Sequence, residues 1–142
     1  MTDGAGGKRS LLFVYGTLIP GLEPRGMSHI VRQFTMLGPA TIRGRLYDLG
    51  PYPGVVIDGS PLVIRGQLVE LPSQQLLDEL DRYEGCPLPD SSEGLFRRVR
   101  TAAICESGEA AECWLYVYNR ELNGAKLVES GCWLTHRQPT KI

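Results

Sequence analysis

Between residues 36 and 71 the chain offers strand-like runs in succession, TIRGRLYDL, YPGVVI and PLVIRGQLVEL, with no helical pattern between them. Short runs rich in β-branched and aromatic residues, bounded by glycine and proline, read as strands. Gly44 and Gly66 fall inside two of these runs, each between basic or polar residues. Glycine weakens a strand, so its presence there predicts a bulge, a bend or a close backbone approach. Repeated bends are what a small curled sheet or barrel needs.

The rest of the chain agrees with that reading. LLFVY at 11–15 is a strand that Gly16 turns, and FRRVRTAAIC at 96–105 and AAECWLYVYN at 110–119 form a hairpin around ESGE. Residues 28–34 suit a short helix, with Ile30, Val31 and Phe34 on one side. The firm helix is at 73–84, where Ser73 caps the start and Gly85 with Pro87 stops the end. Many strands and one firm helix lack the strand–helix alternation of a parallel α/β protein. The expectation is an α+β fold, a small mixed and mainly antiparallel sheet curled into a partial barrel. Residues 11–142 read as a single domain and 1–10 (MTDGAGGKRS) as a flexible N-terminal segment.

Composition narrows the partners. At 142 residues and 42% hydrophobic content the chain can bury a core. A formal charge of -1 gives no electrostatic case for nucleic acid or an anionic membrane. LLFVY is too short to span a bilayer and lacks the form of a signal peptide, so a cytoplasmic protein is expected. The cysteines at 86, 105, 113 and 132 make no CxxC pair and no metal-ligand spacing with histidine, so no metal site is expected. Cys105 and Cys113 read as small buried hydrophobes, and packing is favoured over nucleophilic chemistry for Cys86. His29 and His136 are assigned no role.

The helix contains the first functional signal. At 100° per residue with Leu76 at zero, Leu80 falls at about 40°, Leu77 at about 100° and Tyr83 just before zero. Glu84 falls at about 80°, inside the apolar stripe, while Asp78, Asp81 and Arg82 are expected on the solvent side. Burial and the negative end of the helix dipole both raise the pKa of a carboxyl in that place. Such a group suits general acid–base work near neutrality. Two structural explanations stand beside this one: a head group bent out to solvent, or a pair with a buried arginine such as Arg97 or Arg98. In the basic run, Arg97 shares a strand face with Val99, and Arg98 shares the other with Arg100. At least two of these arginines are expected in solvent.

YGTL at 15–18 after a hydrophobic strand, LYDLGPYPG at 46–54 and LDRYEG at 80–85 together resemble the γ-glutamylcyclotransferase-like superfamily, in its AIG2-like branch. FRR at 96–98, WLYVY at 114–118 and SGCW at 130–133 fit the later landmarks of that branch. The resemblance implies a β-barrel-like fold with flanking helices and a cavity at one mouth. It implies that Glu84 of the D-x-x-E-G pattern is the catalytic carboxylate, and that Tyr15, Gly16, Thr17 and Leu18 bind substrate through the backbone. Tyr118 carries over as the substrate-binding tyrosine of the late strand. Secondary candidates are Tyr116, Arg97, and Tyr52 with Pro53 at the edge of the site.

The implied reaction is intramolecular attack of a γ-glutamyl α-amine on the side-chain carbonyl, releasing 5-oxoproline and a free amine without a cofactor. The tethered nucleophile contributes much of the rate, and one carboxylate can take and return the proton. Two other readings stay open: cleavage of a γ-glutamyl group from a larger biosynthetic intermediate, and a non-catalytic small-molecule binding or structural protein.

Overall fold

The computed structural model describes residues 10–16, 18, 19, 21, 23, 25–84 and 94–137. Five strands close into a barrel: β1 (Ser10–Val14), β2 (Thr35–Arg43), β5 (Val63–Leu71), β6 (Phe96–Cys105) and β7 (Ala110–Tyr118). The order around the barrel is β1-β5-β2-β6-β7, antiparallel at every seam except the last. There β1 meets β7 in parallel, with Leu12 opposite Trp114. A second, antiparallel sheet in the order β4-β3-β8 is made of β3 (Arg45–Asp48), β4 (Pro53–Val56) and β8 (Lys126–Leu127). Mixed, mainly antiparallel sheet was expected; the barrel is closed where the sequence indicated a partial one.

The glycines take different parts in this. Gly44 separates β2 from β3, so it marks the bend where the chain leaves the barrel for the second sheet. Gly66 lies within β5, where an added Cβ would run into the Val14 carbonyl and stand 2.7 Å from Phe13 Cζ. That is a close approach between neighbouring elements, which only a missing side chain permits. The register shift in β2 comes between Met36 and Gly38, at neither of those glycines.

Strand alternation divides the core into two layers. Phe13, Ala40, Leu68, Ala103 and Leu115, one from each strand, share a cluster that fills the barrel. Leu12, Val14, Val69 and Leu71 face the other way and pack with the helices α1 (Ser28–Val31) and α2 (Gln74–Tyr83). A ten-residue helix does not persist alone in water. Leu76, Leu77 and Leu80, each no more than 3% exposed, hold α2 on the barrel. At about 1.5–3 kcal/mol per buried leucine that packing outweighs any propensity term. Ser73 caps the helix as its position predicted, its hydroxyl accepting from the Leu76 N–H at 3.2 Å.

One assignment on this helix is corrected. Asp81 is not a surface residue: it is 6% exposed and bonded to Arg98, which is 4% exposed. Asp81 stands about 40° past Leu77 on the wheel, at the edge of the stripe. A counter-charge on the facing strand is what lets a carboxylate remain there. The buried arc therefore runs from Leu76 to Asp81, and Glu84 falls near its middle. Cys113 is buried and Cys105 half-buried, both as free thiols, and Cys86 lies outside the described residues. The short helix α3 (Trp133–Arg137) places His136 Nε2 2.8 Å from Asp48 Oδ2. Among the described residues no helix is long and apolar enough to cross a membrane.

Candidate active site

A cavity of about 270 Å³ opens where the end of β1, the end of α2 and the start of β6 meet. Its floor is the end of β1 and the turn after it, Val14 to Gly16 with Leu18. Tyr52 and Pro53 form one wall, Leu95 and Phe96 another, and Tyr83, Glu84 and Tyr116 complete it. Of the sequence candidates, Tyr15, Gly16, Leu18, Tyr52, Pro53, Glu84 and Tyr116 thus meet in one place. Thr17 lies outside the described residues. Tyr118 and Arg97 do not line the cavity.

Local chemistry explains these positions. β1 ends at Val14, and the Gly16 carbonyl accepts from the Ile19 N–H at 3.0 Å, closing a tight turn. That turn presses on Pro53: a Cβ on Gly16 would sit 2.5 Å from Pro53 Cγ and 2.8 Å from Cδ. Glycine here sets the width of the floor, since any side chain would push the turn off the 52–53 wall. The Tyr15 hydroxyl donates to the Tyr116 carbonyl at 2.6 Å, tying the end of β1 to β7. Tyr118 sits behind the wall, its ring 5.7 Å from Phe96, which in turn lies 5.8 Å from Tyr52. Arg97 is exposed.

Glu84 is the C-cap of α2, its N–H still bonded to the Leu80 carbonyl at 2.8 Å. The side chain is half-buried and enters a cavity with mostly apolar and aromatic walls. Desolvation, and then the nearby charge of Asp81, push its pKa from 4.5 up to about 8. The direction agrees with the sequence argument. The neighbouring carboxylate is a further cause, which the sequence argument did not name.

That neighbour belongs to a cluster the sequence reading missed. Arg98 Nε donates to Asp81 Oδ1 at 2.8 Å and Nη2 to Oδ2 at 3.0 Å. The Tyr116 hydroxyl donates to Asp81 Oδ1 at 2.7 Å. Arg98 and Tyr116 are cross-strand partners in the β6–β7 ladder, which brings both under α2. The guanidinium also lies 4.2 Å from the centre of the Trp114 ring. A readable signal existed: Asp81 and Glu84 are three residues apart on one helix face, and Arg98 is two from buried Phe96.

Fold and cavity together define a small barrel protein with a carboxyl of raised pKa in the wall of an open, largely apolar cavity. Residues 12–135 match the family described as "Gamma-glutamyl cyclotransferase, AIG2-like", and the chain belongs to that family. It is a γ-glutamylcyclotransferase-like enzyme. It is 35% identical over 114 residues to the γ-L-glutamyl-butirosin B γ-glutamyl cyclotransferase of Niallia circulans, covering 78% of this chain and 67% of that protein. It is 32% identical over 126 residues to the γ-glutamylcyclotransferase family protein YtfP of Escherichia coli K12, covering 87% and 95%. The solution structure of Escherichia coli ytfP superposes with a TM-score of 0.61 over 90% of this chain and 99% of that one, at 31% identity. A γ-glutamylaminecyclotransferase of Bos taurus is 30% identical over 127 residues, covering 81% and 69%.

Proposed function

We propose that the enzyme closes a γ-glutamyl amide or amine into 5-oxoproline and a free amine, with Glu84 moving the proton. The observation that carries this reading is a carboxyl with a pKa of about 8 in the wall of an apolar cavity. The substrate's α-ammonium gives a proton to the Glu84 carboxylate, and the freed amine attacks the γ-carbonyl to form the five-membered lactam. Glu84 returns the proton to the departing nitrogen as its C–N bond breaks, then takes the second proton that the ring nitrogen sheds and passes it to the released amine, so a single group serves as base and acid. The substrate's own tether supplies the geometry of attack. Backbone N–H groups of the turn at 15–18 suit the α-carboxylate, as a nest of amides does. Tyr116 contacts the substrate, and Tyr118 supports the site through Phe96.

A second reading has support in one relative, whose name gives γ-L-glutamyl-butirosin B as the molecule it acts on. On this reading the amine is the γ-glutamylated end of a larger molecule, and the chemistry is unchanged. Incubation with γ-glutamyl-amino acids, γ-glutamyl-ε-lysine, γ-glutamylamines and a γ-glutamyl-aminoglycoside, with 5-oxoproline measured, separates these cases. Glu84→Gln is expected to lower kcat by about 10²–10⁴-fold, the usual contribution of a positioned acid or base. No product from any substrate, or an undiminished rate in the variant, would refute the proposal.

A further inference from the structure

The Asp81–Arg98 pair lies almost wholly out of solvent, where an ion pair adds little net stability over apolar residues of the same size. Its consequence is better sought in what it orients. Asp81 precedes Glu84 by one helical turn, and Tyr116, which donates to Asp81, lines the cavity. Trp114 covers the guanidinium that holds the carboxylate.

Counting protons decides the polarity of that wall. An ionised carboxylate accepts only, so the single O–H of Tyr116 is committed to Asp81. Burial and that hydrogen bond raise the phenol's pKa far above its ordinary value, so it remains protonated. What its oxygen has left is acceptor capacity. Tyr15 has its O–H spent on the Tyr116 carbonyl and its oxygen engaged by the Val55 backbone. Neither phenol therefore has a free donor, and Tyr116 is the one with acceptor capacity to offer. Of the two charged ends of a γ-glutamyl group, the α-ammonium has N–H bonds to give, and the α-carboxylate would be repelled.

We propose that Asp81, locked by Arg98, is a positioning residue that fixes the Tyr116 hydroxyl as an acceptor, and that Tyr116 receives the substrate's α-ammonium beside Glu84. This rests on the γ-glutamyl reading above. The nitrogen is then held next to the carboxylate that takes its proton, and the α-carboxylate is left to the turn after β1. The charge of Asp81 has a second effect in the same direction, since it helps to keep Glu84 basic.

The test uses two ligands, a γ-glutamyl amide and the glutaryl amide that lacks only the α-amine. KM for the first and Ki for the second are measured in the wild type, Tyr116→Phe and Asp81→Asn. Tyr116→Phe is expected to raise KM for the γ-glutamyl amide about tenfold or more, the usual loss for a hydrogen bond to a charged group. The Ki of the glutaryl amide should move by less than about threefold, because it never used that bond. Asp81→Asn should show the same selective loss in smaller degree, since a neutral amide oxygen holds the O–H less firmly than a carboxylate does. If Asp81→Asn does not fold, Tyr116→Phe decides alone, because it keeps the Asp81–Arg98 pair.

Equal losses for both ligands, or unchanged discrimination in Tyr116→Phe, would overturn the assignment. Release of 5-oxoproline by the wild type is scored in the same assay. With turnover present, an unselective Tyr116→Phe sinks the positioning role alone; without turnover both proposals fall.

Discussion

Glu84→Gln should make this protein more stable at alkaline pH while it removes activity. The amide is nearly the shape of the protonated acid, so the two side chains differ mainly in whether they titrate. A carboxyl whose folded pKa stands above its unfolded value binds its proton more tightly in the folded state. Wild-type stability is therefore full below about pH 4.5, where both states are protonated, and declines as pH rises toward about 8. The glutamine variant is spared this decline. With the two values at 4.5 and about 8, linkage puts the difference accumulated between about pH 5 and pH 8.5 at about 4 kcal/mol. That figure is a ceiling, because water in the cavity solvates the charge in part.

The assay is urea denaturation of both proteins at those two pH values, with all other titrating groups shared and so cancelling. A gap between variant and wild type that widens by 1 kcal/mol or more at the higher pH is the expected result. Parallel pH dependence would show that Glu84 titrates as a solvated carboxylate, and the reasoning built on its burial would fail.

Two further outcomes follow from the same geometry. Gly16→Ala puts a methyl 2.5 Å from Pro53 Cγ, so the turn must move; about 1–3 kcal/mol of stability and at least tenfold in kcat/KM should be lost, read by thermal melting and steady-state kinetics. In the wild type, kcat/KM should rise with pH through about 8, because the free enzyme needs Glu84 ionised to accept the ammonium proton. A rising limb near 4.5 instead would place the base elsewhere or in water.

The strands were legible because their signals are local. β5 runs from Val63 to Leu71 inside the run PLVIRGQLVEL, and Ser73 caps the helix it precedes. Glu84 was legible for the same reason, since a wheel needs nothing beyond its own helix. Asp81 was misread because its burial depends on Arg98, and only the pairing of β6 with β7 brings Arg98 under α2. The two late-strand tyrosines show the same limit. Tyr116 and Tyr118 project from one face of β7, and it is the lie of α2 across that face that puts Tyr116 in the cavity. Closure of the barrel by β1 against β7 was likewise out of reach, because a single parallel pairing leaves no periodicity to read.

That seam also governs when the site can exist. The hydrogen bond from Tyr15 to the Tyr116 carbonyl spans 101 residues of chain, and the parallel pairing of Leu12 with Trp114 joins the same two strands. Contacts so distant form late and slowly, since the loop entropy must be met before they reward the chain. During synthesis the floor of the cavity is made first and then waits, without its opposite wall, until β7 has emerged. A γ-glutamyl ligand that touches both sides would act as a clasp on this seam, and amide exchange along β1 should slow when it binds.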